Sequence, residues 1–188
     1  PWMRKLAYKR AEQDADLEPW SAQQVRDYDQ HQATTPTTHR QLFDLTVDRL
    51  IDLKAWIERG NDSPYKTWQR ASDETEMRNL VAGWLSNQSF GRYTCAQENE
   101  LPNRQRPDIW TQNSGVASPV PVELKLLDKG WSGPKLCERL RNQLVGDYLR
   151  EETAGCGVML LIWQGRSTRS RWQIGDRRVA LTDLEEAL

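Results

Sequence analysis

The feature that most constrains this chain is the run Val158-Met159-Leu160-Leu161-Ile162-Trp163, the longest apolar stretch it contains. The run is strand-sized, and Gly155, Gly157 and Gly165 bound it. With no polar residue alternating along it, it reads as a strand covered on both faces, the kind found in the middle of a sheet. Such a sheet needs helices to cover it. The preceding segment supplies one, because Leu136, Leu140, Leu144, Val145, Tyr148 and Leu149 recur at helical spacing between about 135 and 152. A helix leading back into a buried strand is a crossover, so part of the sheet is expected to be parallel.

Upstream, Leu42, Phe43, Leu45, Leu50, Leu53, Trp56 and Ile57 fall at steps of three and four and predict an amphipathic helix, closed by Gly60 at its C′ position. A second helix is expected from Ser72 or Asp73 to about Gln88, with Met77, Leu80, Val81, Trp84 and Leu85 as its apolar stripe. Strands follow at 92–96, 107–111 and 120–127. After Gly165 comes a basic stretch, read as a loop or a short strand pair, and then a short helix from Asp183. From residue 72 the order is α-β-β-β-α-β, an α/β fold. The segment Pro1 to His31 is charged, poor in apolar residues and helical in character, with Ser21 as a candidate N-cap, and the polar stretch Ala33 to Thr38 interrupts the pattern. The expected division is a helical arm or linker over 1–38 and a domain over 39–188. The chain starts at Pro1 inside a charged stretch, without Met, so the expectation is a piece of a longer polypeptide carrying additional domains.

The chemistry begins at Val122-Glu123-Leu124-Lys125-Leu126. Side chains alternate along a strand, so Glu123 and Lys125 share one face and the three aliphatic residues the other. Charges in the centre of an apolar strand are costly to bury without partners. A hydrated metal ion with a phosphate would compensate them, and so would a structural salt bridge. Arg106-Pro107-Asp108 places a further carboxylate on the strand before, where Asp108 and Glu123 can sit side by side; a turn residue after proline is the plainer role for Asp108. Two carboxylates with a carbonyl and waters make a natural Mg²⁺ site. A lysine beside them could orient or deprotonate a water for attack on phosphorus.

These residues carry a resemblance. Arg106-Pro107-Asp108 followed by Glu123-Leu124-Lys125 is similar to the signature of the PD-(D/E)xK, or restriction-endonuclease-like, nucleases. Glu76, on the helix before, matches the acidic residue that many members place on their first core helix, although its spacing from Asp73 is also that of a capping box. Gln143, on the helix after, matches a polar residue that many members hold near the site. The exonuclease branch pairs that Gln with a Tyr four residues on; here Asp147 stands there and Tyr148 one later, so the resemblance is not to that branch. Over residues 70–165 it implies a restriction-endonuclease-like α-β-β-β-α-β core, a mixed sheet flanked by helices, with an N-terminal helical extension. It also implies Mg²⁺-dependent endonuclease activity, with Mn²⁺ as a substitute. Asp108, Glu123 and Glu76 would hold the metal, Lys125 would lie near the nucleophile, and Gln143 would complete the site. The expected partner is nucleic acid, DNA before RNA, with a homodimer an open arrangement. By analogy such a domain is the C-terminal effector of a larger bacterial, defence-type protein. The rival expectation is a nuclease-like fold without catalysis, acting as a nucleic-acid-binding or assembly module.

Other chemistries find little support. Both histidines, His31 and His39, precede the expected core, which argues against His-based nucleases and zinc hydrolases. GxSxG, GxxxxGK[ST] and GxGxxG are all absent. The three cysteines are widely spaced without a CxxC pair, which fits a reducing cytoplasm. No apolar run approaches a membrane span, and no basic-then-apolar leader is visible. The net charge of -1 excludes a globally basic binder. Local charge is another matter, because Arg166, Arg169, Arg171, Arg177 and Arg178 face only Asp176 in their stretch, and phosphate contacts need only local charge. Trp110 and Trp131 lie near the expected site in sequence and are candidates for stacking on bases.

Overall fold

A computed structural model of the chain describes residues 2–15, 20–22, 24–25, 35–97, 107–142, 144, 155–167 and 171–188. Contacts within the chain divide it into two units, 1–34 and 35–188. In the first, α1 spans Trp2–Ala15, with Met3, Leu6 and Tyr8 exposed. Ser21 caps a short helical turn as its sequence predicts. Its hydroxyl accepts from the Gln24 amide at 3.2 Å, and its own amide donates to Gln24 Oε1 at 2.8 Å.

The second unit opens on α2 (His39–Arg59), α3 (Tyr65–Arg70) and α4 (Glu74–Asn87). Thr38 caps α2 in a capping box with Gln41. At the other end Gly60 is extended rather than left-handed. Glycine is required there for a different reason than the expected C′ turn: a Cβ would lie 2.6 Å from the Trp56 carbonyl oxygen. The six-residue α3 was not foreseen, because it is too short to show a period and buries only Trp68.

Strands β1 (Thr94–Gln97), β2 (Ile109–Gln112), β3 (Val120–Leu126) and β4 (Val158–Ile162) form one mixed sheet in that order. The first two pairings are antiparallel and β3–β4 is parallel, as a crossover requires. The sheet is flanked by helices, so the chain is α/β with a mixed four-stranded sheet. Before β4 comes α5 (Gly133–Arg139), continued by a wider π-type turn at 140–142 and 144; the rest of the helix expected to residue 152 lies outside the described residues. The basic stretch after Gly165 forms a separate hairpin of β5 (Arg171–Ile174) and β6 (Arg177–Ala180), followed by α6 (Leu184–Ala187).

One expectation changes. The run at 158–162 forms the end strand of the described sheet, not a middle one. Its unbroken apolarity keeps the expected cause, because each of its faces packs against a core. Val158, Leu160 and Ile162 join the larger core, built from Leu42, Leu53, Met77, Val81 and Leu85 against Ile109, Val122, Leu124 and Leu126. Met159 and Leu161 join a smaller core with Leu127, Leu136, Trp172 and Leu184. Central β3 is buried along its whole length. Each of Val122, Leu124 and Leu126 is 0% exposed, which contributes about 1.5–3 kcal/mol per side chain.

Polar braces fix the elements around this sheet. The Thr46 and Thr111 hydroxyls meet at 2.8 Å between α2 and β2. His39 bridges two loops through the Ser118 carbonyl at 3.0 Å and the Cys156 backbone at 3.1 Å. The most concentrated brace is Asp128, just beyond β3. Its carboxylate accepts from the amides of Gln164, Arg166 and Ser167 at 2.6–2.7 Å, so it holds the loop that leaves β4. Gln164 in turn donates to the Trp68 and Ala71 carbonyls. Bonds to a charged acceptor are worth more than neutral ones. Asp128→Ala is therefore expected to lower stability by about 2–3 kcal/mol. Urea unfolding would show this as a lower midpoint at an unchanged slope, and a loss within error would mean that the three amides turn to water without penalty.

Candidate active site

The site follows from a mismatch in strand length. Pairing of β2 with β3 runs from Thr111↔Val120 to Ile109↔Val122, whereas β3 continues beside β4 to Leu126↔Ile162. Beyond Val122, the β3 amides on the β2 side need other acceptors. Carboxylates provide them: the Leu124 amide donates to Asp108 Oδ2 at 2.7 Å, and the Leu126 amide to Glu74 Oε1 at 3.2 Å. Asp108 lies one residue before β2, and continuing the register sets it beside Glu123. Its other oxygen faces Arg78 Nη1 at 3.6 Å, from the second turn of α4.

Glu123 and Lys125 share the sheet face opposite the larger core, as strand alternation requires. Both are buried, at 2% and 6% exposed. The Lys125 ammonium donates to Glu123 Oε1 at 2.6 Å and to the Leu124 carbonyl at 2.8 Å. It lies 3.7 Å from Glu74 Oε2 and 5.5 Å from the centre of the Trp131 ring, which supplies a cation–π contact. Lys125 is thus enclosed by two carboxylates, a carbonyl and an indole face.

Of the residues singled out in the sequence, Asp108, Glu123 and Lys125 come together at this end of β3. Glu76 stands elsewhere: its amide donates to Asp73 Oδ1 at 2.8 Å, and its carboxylate accepts from the Ser72 amide at 2.7 Å. Its amide takes the Asp73 cap, and its carboxylate reaches the amide one residue before that cap, a variant of the capping role that its spacing allowed. The acid that α4 sends to the site is Glu74. The signal was available, because Asp73 as N-cap assigns Glu76 to the capping position and leaves Glu74 at the first helical residue. Arg78 was also missed, and its signal is one turn of helix from Glu74. Gln143 lies outside the described residues.

The donors present are hard oxygens, of the type that Mg²⁺ or Mn²⁺ takes. Their spacing is another matter: among the described residues no group of three or more His, Cys, Asp or Glu side chains could hold a metal ion. The Lys125 ammonium already neutralises Glu123, and the Leu124 amide already holds one oxygen of Asp108. The donor chemistry therefore fits a divalent ion, and seating one requires the Lys125 ammonium to give way.

Other candidate chemistry falls away. Burial pushes the Cys95 thiol up to about 11 although a Ser86 hydrogen bond acts the other way, so the thiolate is scarce at pH 8. Alkylation of Cys95 at pH 8 should be slow until the chain unfolds; labelling at the rate of a free thiol would show that the strand opens readily. A groove of about 170 Å³ between Ile57, Tyr65, Trp68 and Trp163 contains none of the residues of the site.

Comparison of the chain with protein-family models, curated proteins and solved structures gives no match.

Removing one partner of a buried ion pair leaves the other charge uncompensated, at about 3–5 kcal/mol. Lys125→Met is expected to cost that much in urea unfolding without added metal. The double variant Glu123→Gln/Lys125→Met should regain most of it. A single-variant loss under about 1 kcal/mol would mean that water reaches Glu123 and that the pair is not buried in solution.

Proposed function

We propose that residues 35–188 form a metal-dependent nuclease of the restriction-endonuclease-like, PD-(D/E)xK type, hydrolysing phosphodiester bonds of DNA. One observation carries the proposal: Asp108, Glu123, Lys125 and Glu74 converge at the end of an otherwise apolar strand. Charge is expensive to bury. A folding role for Glu123 would be met as well by an apolar residue, because buried pairs are seldom better for stability than the hydrophobic side chains that could replace them.

In this reading Asp108 and Glu123 would hold Mg²⁺, with Glu74 able to join them only after Lys125 gives way, and Mn²⁺ as a substitute. Bound there, the ion would supply Lewis-acid charge to the phosphoryl oxygens. Lys125, released from Glu123, holds the attacking water and one non-bridging oxygen of the phosphate, so that both reactants are oriented before reaction. As an ammonium it donates to the phosphate; as an amine it takes the proton of the water. Trp131 covers the lysine and limits solvent there. Arg78 orients Asp108 from behind.

A second reading has a specific observation in its favour. With Lys125 closed on Glu123 and no three-acid cluster among the described residues, the same arrangement is that of a nuclease-like module that binds or assembles without catalysis.

Two measurements separate the readings. Plasmid, linear duplex, single-stranded DNA and RNA are incubated with Mg²⁺, Mn²⁺ or EDTA. The nuclease reading expects cleavage of DNA with either metal and none in EDTA. Mn²⁺ binding is then measured by calorimetry on the folded wild type, Asp108→Ala and Lys125→Ala. Asp108→Ala should lose metal binding. Lys125→Ala should bind more tightly than wild type, because a competing cation has gone, yet cleave about 10²–10⁴-fold more slowly. Absence of both metal binding and cleavage leaves the binding-module reading. Full cleavage by Lys125→Ala removes the lysine from the chemistry and leaves it as a salt-bridge partner of Glu123.

A further inference from the structure

The β5–β6 hairpin has one face buried and one face open. Trp172, 2% exposed, packs with Ile174 and Val179 into the smaller core. By the register Arg171↔Ala180 and Gln173↔Arg178, the opposite face presents Arg171, Gln173 and Arg178, all exposed. Arg177, opposite Ile174, belongs to the other face and is exposed only because it adjoins the turn at Gly175 and Asp176. Asp176 is the hairpin's one carboxylate, and neither Arg171 nor Arg178 forms an ion pair among the described residues. The acids that follow, Asp183, Glu185 and Glu186, lie beyond β6 and form no ion pair with them among the described residues. Arg171 and Arg178 are diagonal neighbours on one face, about 7–8 Å apart. Cations held this close without counter-charges match a polyanion.

We infer that this outer face grips the phosphodiester backbone of a nucleic-acid duplex. The class of partner rests on the nuclease reading of the neighbouring site. Guanidinium forks pair with phosphate through two hydrogen bonds, and a two-stranded ribbon is narrow enough to lie along or within a duplex groove. The hairpin is also fixed to the site. The Trp172 indole N–H donates to the Trp131 carbonyl at 3.1 Å, and the Trp131 ring covers Lys125. At Gly133 a Cβ would collide with the Gln173 carbonyl oxygen, so the start of α5 is pressed against β5 with no room for a side chain. The arginines and the lysine are therefore held in one frame, and a duplex on the hairpin lies beside the end of β3.

The test uses the full chain and a fluorescein-labelled duplex DNA, followed by anisotropy in EDTA, where cleavage cannot confuse the signal. Affinity is measured across a KCl series for wild type, for Arg171→Ala/Arg178→Ala, for the corresponding double lysine variant, and for Arg59→Ala as a surface control on α2. Two lost phosphate contacts should lower the salt slope by about 1.8, that is, about 0.9 for each. The lysine variant should keep most of the slope, and Arg59→Ala all of it. Circular dichroism confirms that each variant is folded. Wild-type slope and affinity in a folded alanine variant overturn the inference. So does a wild type that ignores duplex and binds polyglutamate, which would point to an acidic protein instead. Mn²⁺ calorimetry on the same alanine variant keeps the two readings apart. Metal binding with duplex affinity unchanged removes the hairpin alone, and hairpin-dependent duplex binding with no metal response removes the nuclease alone.

Discussion

A buried amide must find an acceptor, and much of this structure answers that demand at one place. Strand β3 is longer than its neighbour β2, and the two amides left over, at Leu124 and Leu126, are met by carboxylates rather than by more backbone. Had the β2 pairing run on four residues further, carbonyls could have taken the same bonds and no charge would have gathered. The shortened pairing brings Asp108 and Glu74 to the strand. Glu123 adds a third acid from the strand itself, and Lys125 is the cation that makes their company tolerable. Side chains bearing opposite charges are thus assembled by the hydrogen-bonding needs of the main chain.

The parallel pairing of β3 with β4 determines where this happens. Both strands end at the same edge of the sheet, and Lys125, Asp128 and Gln164 all lie at that edge or just past it. Carboxyl ends of parallel strands are where loops diverge and leave a crevice. Asp128 controls that divergence by holding three amides of one loop, and the chain it releases goes on to form the hairpin over the smaller core. The larger core serves chiefly to hold the sheet; the smaller one joins the sheet to the elements around Lys125.

Much of this was legible in the residues. The period-two pattern at 120–126 assigned Glu123 and Lys125 to one face, and the three-and-four spacing at 42–57 and 77–85 located two helices, because each signal comes from a long segment facing a single core. The position of β4 was not legible: an apolar run reports that both faces are covered and says nothing of how many neighbours the strand has. The choice between Glu74 and Glu76 turned on a cap, where a shift of two residues separates a side chain bonded to its own helix end from one that reaches a strand. Arg78 gives no local sign of its role, since its partner Asp108 lies thirty residues further along the chain. Contacts that cross the fold leave no period to read.

The same parallel pair has a consequence in time. Strands β1, β2 and β3 follow one another and pair antiparallel, so their contacts close over modest lengths of chain. The partner of Val122 is Val158, and every residue of the crossover must be gathered before that bond forms. Closing a long loop costs entropy before it returns any contact, and folding slows as such contacts come to dominate. The three-stranded meander is the natural early structure, with β4 adding last. Until it does, Leu124, Leu126 and the acids beside them lie on the rim of an unfinished sheet. The charge at the end of β3 would then be set against solvent first and enclosed only at the final step, which spares the chain from burying Glu123 before Lys125 has closed upon it.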